Sequence, residues 1–143
     1  MDDKGSIVEQ VAEVSVESGR VRVLRVVCGA DCGQIIHPGI VDAPMVGSVV
    51  TGLTAALCGD ITLDRGRVVQ SKFHDYEMLR MEEMPDVEVH MVDNGEAPGS
   101  VGEPGVPPIA LAVTNVRFAL TGTRSRCLTI RIDGFGIQSE AVG

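Results

Sequence analysis

The longest uncharged stretch, residues 43–59, constrains the fold more than any other feature of this chain. It is short of the roughly 20 apolar residues a bilayer span needs. It also carries Gly47, Ser48, Thr51, Gly52 and Thr54. From about residue 40, apolar side chains recur at helical spacing through Val41, Met45, Val49, Leu53 and Ala56/Leu57. The expectation is a buried core helix over about residues 40–58, whose small residues let another backbone approach closely. Pro38 suits a helix start. Pro44 falls in the first turn or just beyond it, so either proline could mark the beginning. Gly59 can end the helix.

A helix so apolar needs a second layer. Residues 8–16 and 21–28 alternate apolar and polar side chains around the turn Glu17-Ser18-Gly19-Arg20 and predict a hairpin. Residues 61–63 and 67–73, around Asp64-Arg65-Gly66, predict a second hairpin. Residues 74–85 read as a Met-rich loop, 86–92 as a strand, and 127–132 as a last strand. A second helix is expected over about 108–120, opened by Pro107-Pro108 and stopped by Gly122. The order favours an α+β fold: a mixed or antiparallel sheet with hairpins, packed against two main helices. Residues 1–132 are expected to form a single domain, with 133–143 as a flexible tail.

Composition narrows the function. The net charge of −8 argues against nucleic acid and anionic membrane surfaces as partners. Aromatics are 3% and Trp is absent, so aliphatic side chains and Met must build the core. Cys28, Cys32, Cys58 and Cys127 form no Cys-x-x-Cys pair, so neither a zinc site nor an iron–sulfur cluster is expected in this chain, and the thiols read as reduced and mostly buried. His37 and His74 are not spaced as a metal pair. Asp31 and Asp75 read as loop-structuring acids. Met78, Met81 and Met84 read as core or interface filling. The polar start Met1-Asp2-Asp3-Lys4 does not resemble a secretory signal. A soluble, cytoplasmic chain is expected, periplasmic only if carried there by a partner.

Chemistry concentrates in residues 94–108, dense in Gly and Pro, since a long loop in a small domain usually serves function. Glu103 stands between Gly102 and Pro104, just before the second helix. The glycines admit a ligand close to the backbone, and the prolines stiffen the loop. Negative charge before a helix N-terminus is favoured by up to about 1 kcal/mol. An oriented carboxylate suits a general base.

The run Val101-Gly102-Glu103-Pro104-Gly105-Val106-Pro107-Pro108-Ile109-Ala110, with Ala112-Val113, Asn115, Phe118-Ala119 and Thr121-Gly122, resembles the active-site loop and helix of the molybdenum hydroxylases, the xanthine dehydrogenase/aldehyde oxidase family. Cys28-Gly29-Ala30-Asp31-Cys32-Gly33 with His37-Pro38, Phe73-His74-Asp75-Tyr76, and Leu79-Arg80-Met81 with Met84-Pro85 are also similar to that family. The resemblance spans roughly residues 8–131 and points to the C-terminal part of the molybdopterin-binding subunit, in the branch of isoquinoline 1-oxidoreductase β-subunits and aldehyde oxidases.

The resemblance implies an oxidoreductase that hydroxylates aldehydes or N-heterocycles, using a molybdopterin-type molybdenum cofactor held mostly by other segments. It implies that Glu103 takes the proton of the molybdenum-bound hydroxyl, and that Gly47, Gly102 and Ser100 are cofactor-binding positions. The implied partners are the remainder of the molybdopterin-binding subunit and a [2Fe–2S] subunit. One departure stands out: Pro44-Met45-Val46-Gly47 occupies a position where the family commonly has Gln-x-Glu-Gly. The alternative expectation is a stand-alone remnant with a binding or assembly role, no catalysis, and self-association as a homodimer.

Overall fold

The computed structural model describes every residue except Met1, Lys4, Ser18, Gly19 and residues 131–143. The centre of the first predicted turn, the end of the last predicted strand and the predicted tail therefore lie outside the described residues. In chain order the elements are β1 (Asp2–Asp3), β2 (Ser6–Glu17), β3 (Arg20–Asp31), α1 (Pro38–Leu57), β4 (Leu63–Asp64), β5 (Arg67–Val68), a 3-10 turn (Met81–Glu83), β6 (Asp86–Val92), a second 3-10 turn (Glu103–Gly105) and α2 (Val106–Thr121). The main sheet runs β1-β2-β3-β6. Its first two pairings are antiparallel, and β6 lies parallel to β3. This is the α+β class that the order of elements predicts, with the sheet mixed.

Both long strands place alternate apolar residues on one face, and a bulge preserves that pattern. Val26, Cys28 and Ala30 face inward at even positions, yet Val23 is buried at an odd one. Glu13 pairs with Arg25 and Val14 with Val23, which leaves Leu24 without a partner across the ladder. The extra residue turns Leu24 outward and returns the valines to the core, as a one-residue register change must.

α1 and α2 lie together against this inner face. Val41, Met45, Val49, Leu53 and Ala56 of α1 are buried. The larger core cluster joins Val49, Leu53 and Ala56 to Ile109 and Val113 of α2 and to Ala12, Val23 and Val26 of the sheet. A smaller one joins Met45 to Val8, Cys28 and Ala30. By length and composition α1 could cross a membrane; here its buried stripe is covered by sheet and α2. The opposite sheet face is open, with Val11 70% exposed.

Two expectations are narrowed, the start of α1 and the place of the methionines, and two need correction, the second hairpin and the last strand. α1 begins at Pro38, and Pro44 lies inside it on the exposed side, where water can reach the Ile40 carbonyl left without its usual donor. The second hairpin shrinks to β4 and β5, because it finds no third strand and no apolar face to cover, and Phe73 is 97% exposed. The methionines at 78, 81 and 84 are not core residues; Met81 is 84% exposed. Residues 127–130 form no strand. Instead the Ile130 amide donates to the Ala56 carbonyl at 2.7 Å, and its buried side chain joins the larger core cluster. An unsatisfied carbonyl at the end of α1 took the segment that the sheet did not.

Candidate functional site

Because β3 and β6 run parallel, their C-terminal ends open on the same edge of the sheet, the edge where parallel strands usually present ligand sites. The loops leaving them are laced together. Asn94 Nδ2 donates to both carboxylate oxygens of Asp31, at 2.9 and 3.1 Å. The Gln34 amide donates to the Glu96 carbonyl at 2.9 Å, and the Gly99 amide to the Cys32 carbonyl at 2.8 Å. Asp31 also accepts the Gly33 amide, and Asp75 accepts from Ser71, so both acids structure their loops as expected. Past this lacing, Ser6 Oγ donates to the Ser100 carbonyl at 2.6 Å.

Gly102 then turns the chain at φ +123°, a conformation rarely open to side-chain-bearing residues. The 3-10 turn Glu103–Gly105 follows, closed by the Val106 amide donating to the Glu103 carbonyl. Pro104 and Gly105 are buried beneath it, and Gly105 rests on Ser48 and Met45 of α1. Gly102 lies against Pro44, close enough that an added methyl would be 3.4 Å from its Cβ. The turn is thus wedged between α1 and β2, and Glu103 is its exposed residue.

The sequence-predicted residues therefore fall into two groups. Gly102, Ser100 and Glu103 belong to the same pinned loop. Gly47 sits on α1 one turn beyond Pro44, exposed, where an added methyl would meet nothing within 4 Å.

Sequence reasoning missed the residues that hold the loop: Ser6, Gln10 and Asn94. Gln10 Nε2 donates to the Gly105 carbonyl at 2.9 Å. That carbonyl can only accept, which fixes which end of the amide faces it. Gln10 Oε1 is then buried with no hydrogen-bond partner, an arrangement that costs about 1–3 kcal/mol. A signal was available, since Gln10 shares the inward-facing register of Val8 and Ala12 and is polar where an apolar side chain is expected.

All four cysteines are free thiols, and Cys28 Sγ also accepts from Gln10 Nε2 at 3.7 Å. Burial pushes the Cys28, Cys32 and Cys58 thiols up from the ordinary value of 9.0. Neutral thiols in these places contribute stability that is full below pH 9.0 and is lost as pH rises through the raised native values. Alkylation by iodoacetamide at about pH 8, read by peptide mass spectrometry, is expected to modify exposed Cys127 first and buried Cys28 and Cys32 only on unfolding. Prompt labelling of Cys28 would contradict this.

The profile of the molybdopterin cofactor-binding domain family matches residues 6–85. The beta chain of isoquinoline 1-oxidoreductase from Brevundimonas diminuta is 38% identical over 109 residues, covering 76% of this chain and 14% of that protein. A nicotinate dehydrogenase subunit of Pseudomonas putida is 32% identical over 123 residues, covering 84% of this chain and 10% of that one. Among solved structures, quinoline 2-oxidoreductase from Pseudomonas putida 86 superimposes with a TM-score of 0.71 at 22% identity, over 85% of this chain and 17% of that chain. This chain thus spans a small part of the relatives it matches. The match over more than half its length, the relatives' identity and the shared fold together place this chain in the molybdopterin cofactor-binding domain family.

Proposed function

We propose that this chain forms one wall of the active site of a molybdenum-dependent oxidoreductase that hydroxylates aldehydes or N-heterocycles, with Glu103 as its general base. The observation that carries the reading is the exposed carboxylate of Glu103 on a turn pinned by buried Pro104 and Gly105, in a chain of a cofactor-binding family. The residues present fit such a group. Bare backbone at Gly47 leaves room for a bulky ligand, with Gly102 and Ser100 on the Glu103 loop as further contacts. Pro44 offers no polar side-chain atom. The cofactor, when bound, supplies the two-electron oxidation. Glu103 would accept a proton at its carboxylate, and the wedged turn keeps that carboxylate oriented.

The rest of the site belongs to the remainder of a longer subunit, and electrons leave through a [2Fe–2S] subunit. Exposed Phe73 and Met81 suit contact with such neighbours. The test is molybdenum content by elemental analysis together with dye-linked oxidation of an aromatic aldehyde or an N-heterocycle. Neither molybdenum nor turnover in the assembled protein would sink the reading. Pro44 favours a second one, a non-catalytic assembly domain; light scattering showing a dimer of a cofactor-free chain would support it.

Gly47 separates folding from cofactor binding. Gly47→Ala is expected to raise stability by about 0.5–1 kcal/mol, because glycine weakens a helix interior and the added methyl meets nothing. The same variant is expected to hold several-fold less molybdenum. Unchanged molybdenum would remove Gly47 from the cofactor wall.

A further inference from the structure

We propose that Gln10 is a positioning residue that sets the orientation of Glu103 through the Gly105 carbonyl; the proposal rests on Glu103 being the base. Gln10 comes from the middle of β2, far from Glu103 in sequence, and its Nε2 bond to the Gly105 carbonyl ties the sheet directly to the end of the Glu103–Gly105 turn. It is a side-chain donor to that turn's backbone.

The local chemistry argues against a purely structural role. The Gly105 carbonyl stands at the N-cap of α2, where a helix already supplies it with a donor from its own first turn. The Gln10 bond occupies the second lone pair, so folding does not depend on it. Meanwhile Gln10 Oε1 stays buried and unpartnered. An apolar side chain of similar length would pack between Val8 and Ala12 without that defect. Stability alone does not select glutamine here, whereas a fixed turn does. With α1 closing the other side through Ser48 and Met45, the sheet-side hold of Gln10 leaves the Glu103 backbone a single seat.

The test is Gln10→Met, with Gln10→Glu as a second variant. In the full chain, thermal unfolding of Gln10→Met is expected within about 2 °C of the parent or above it. Amide exchange at Val106, whose N–H closes the turn on the Glu103 carbonyl, is expected to accelerate about ten-fold. In Gln10→Glu, protection at Val106 returns as pH is lowered, because only the protonated carboxyl can donate to the Gly105 oxygen. In the cofactor-loaded oxidoreductase, Gln10→Met is expected to lower kcat about ten- to hundred-fold with KM little changed. Unchanged exchange at Val106 overturns the proposal, and so does a loss of stability that tracks the loss of kcat. Faster exchange at Val106 alongside an active Glu103→Gln enzyme would leave the positioning intact and defeat the base assignment, so the two failures are distinguishable.

Discussion

Glu103→Gln is expected to lower kcat of the cofactor-loaded oxidoreductase by about 10²- to 10⁴-fold, the usual contribution of a positioned base. Glutamine keeps the size of the side chain and removes its capacity to accept a full proton. Glu103 is exposed, whereas the turn's packing comes from Pro104 and Gly105. Folding should therefore change by no more than about 0.5 kcal/mol. Molybdenum content should also hold, because the backbone that shapes the loop is intact. Three measurements on one preparation read this out: steady-state kinetics, elemental analysis and urea unfolding. Turnover within about three-fold of the parent, at full molybdenum loading, would falsify the assignment of Glu103 as base.

Legibility in the sequence followed the range of the interactions. The β2–β3 hairpin, both helices and β6 are set by local periodicity, and all are present. Gly122 stops α2 in the left-handed conformation, as its position suggests. What local pattern could not carry was decided by partners distant in sequence. The 127–130 segment has strand-like residues but satisfies the Ala56 carbonyl instead. The second hairpin has the turn and the β-branched residues, but nothing to cover. The loop bearing Glu103 was visible through its Gly and Pro content. Two of its anchors were not, because Ser6 and Gln10 reach it across 94 and 95 residues of chain.

The same long-range logic makes Gly52 a sensitive position for the fold. Gly52→Ala is expected to destabilise the chain by about 2 kcal/mol, or about 6 °C for a chain of this size. An added methyl would overlap the Ile109 Cγ2 atom and sit 2.5 Å from the Val106 carbonyl oxygen. A side chain could swing away, but the carbonyl belongs to the first turn of α2 and can yield only if the helix moves. Overpacking of this kind costs about 1–3 kcal/mol, against up to about 1 kcal/mol gained by replacing a helical glycine. Gly47→Ala, on the same helix, carries the gain alone. The two variants should therefore shift the unfolding midpoint in opposite directions, and propensity cannot explain the difference. The shift also reaches the site, because Val106 closes the Glu103 turn. Gly52→Ala should consequently show faster amide exchange at Val106 even at temperatures well below unfolding. Equal and positive shifts for both alanine variants would mean that the helices do not meet at Gly52, and that the wedge holding Glu103 is not built as described.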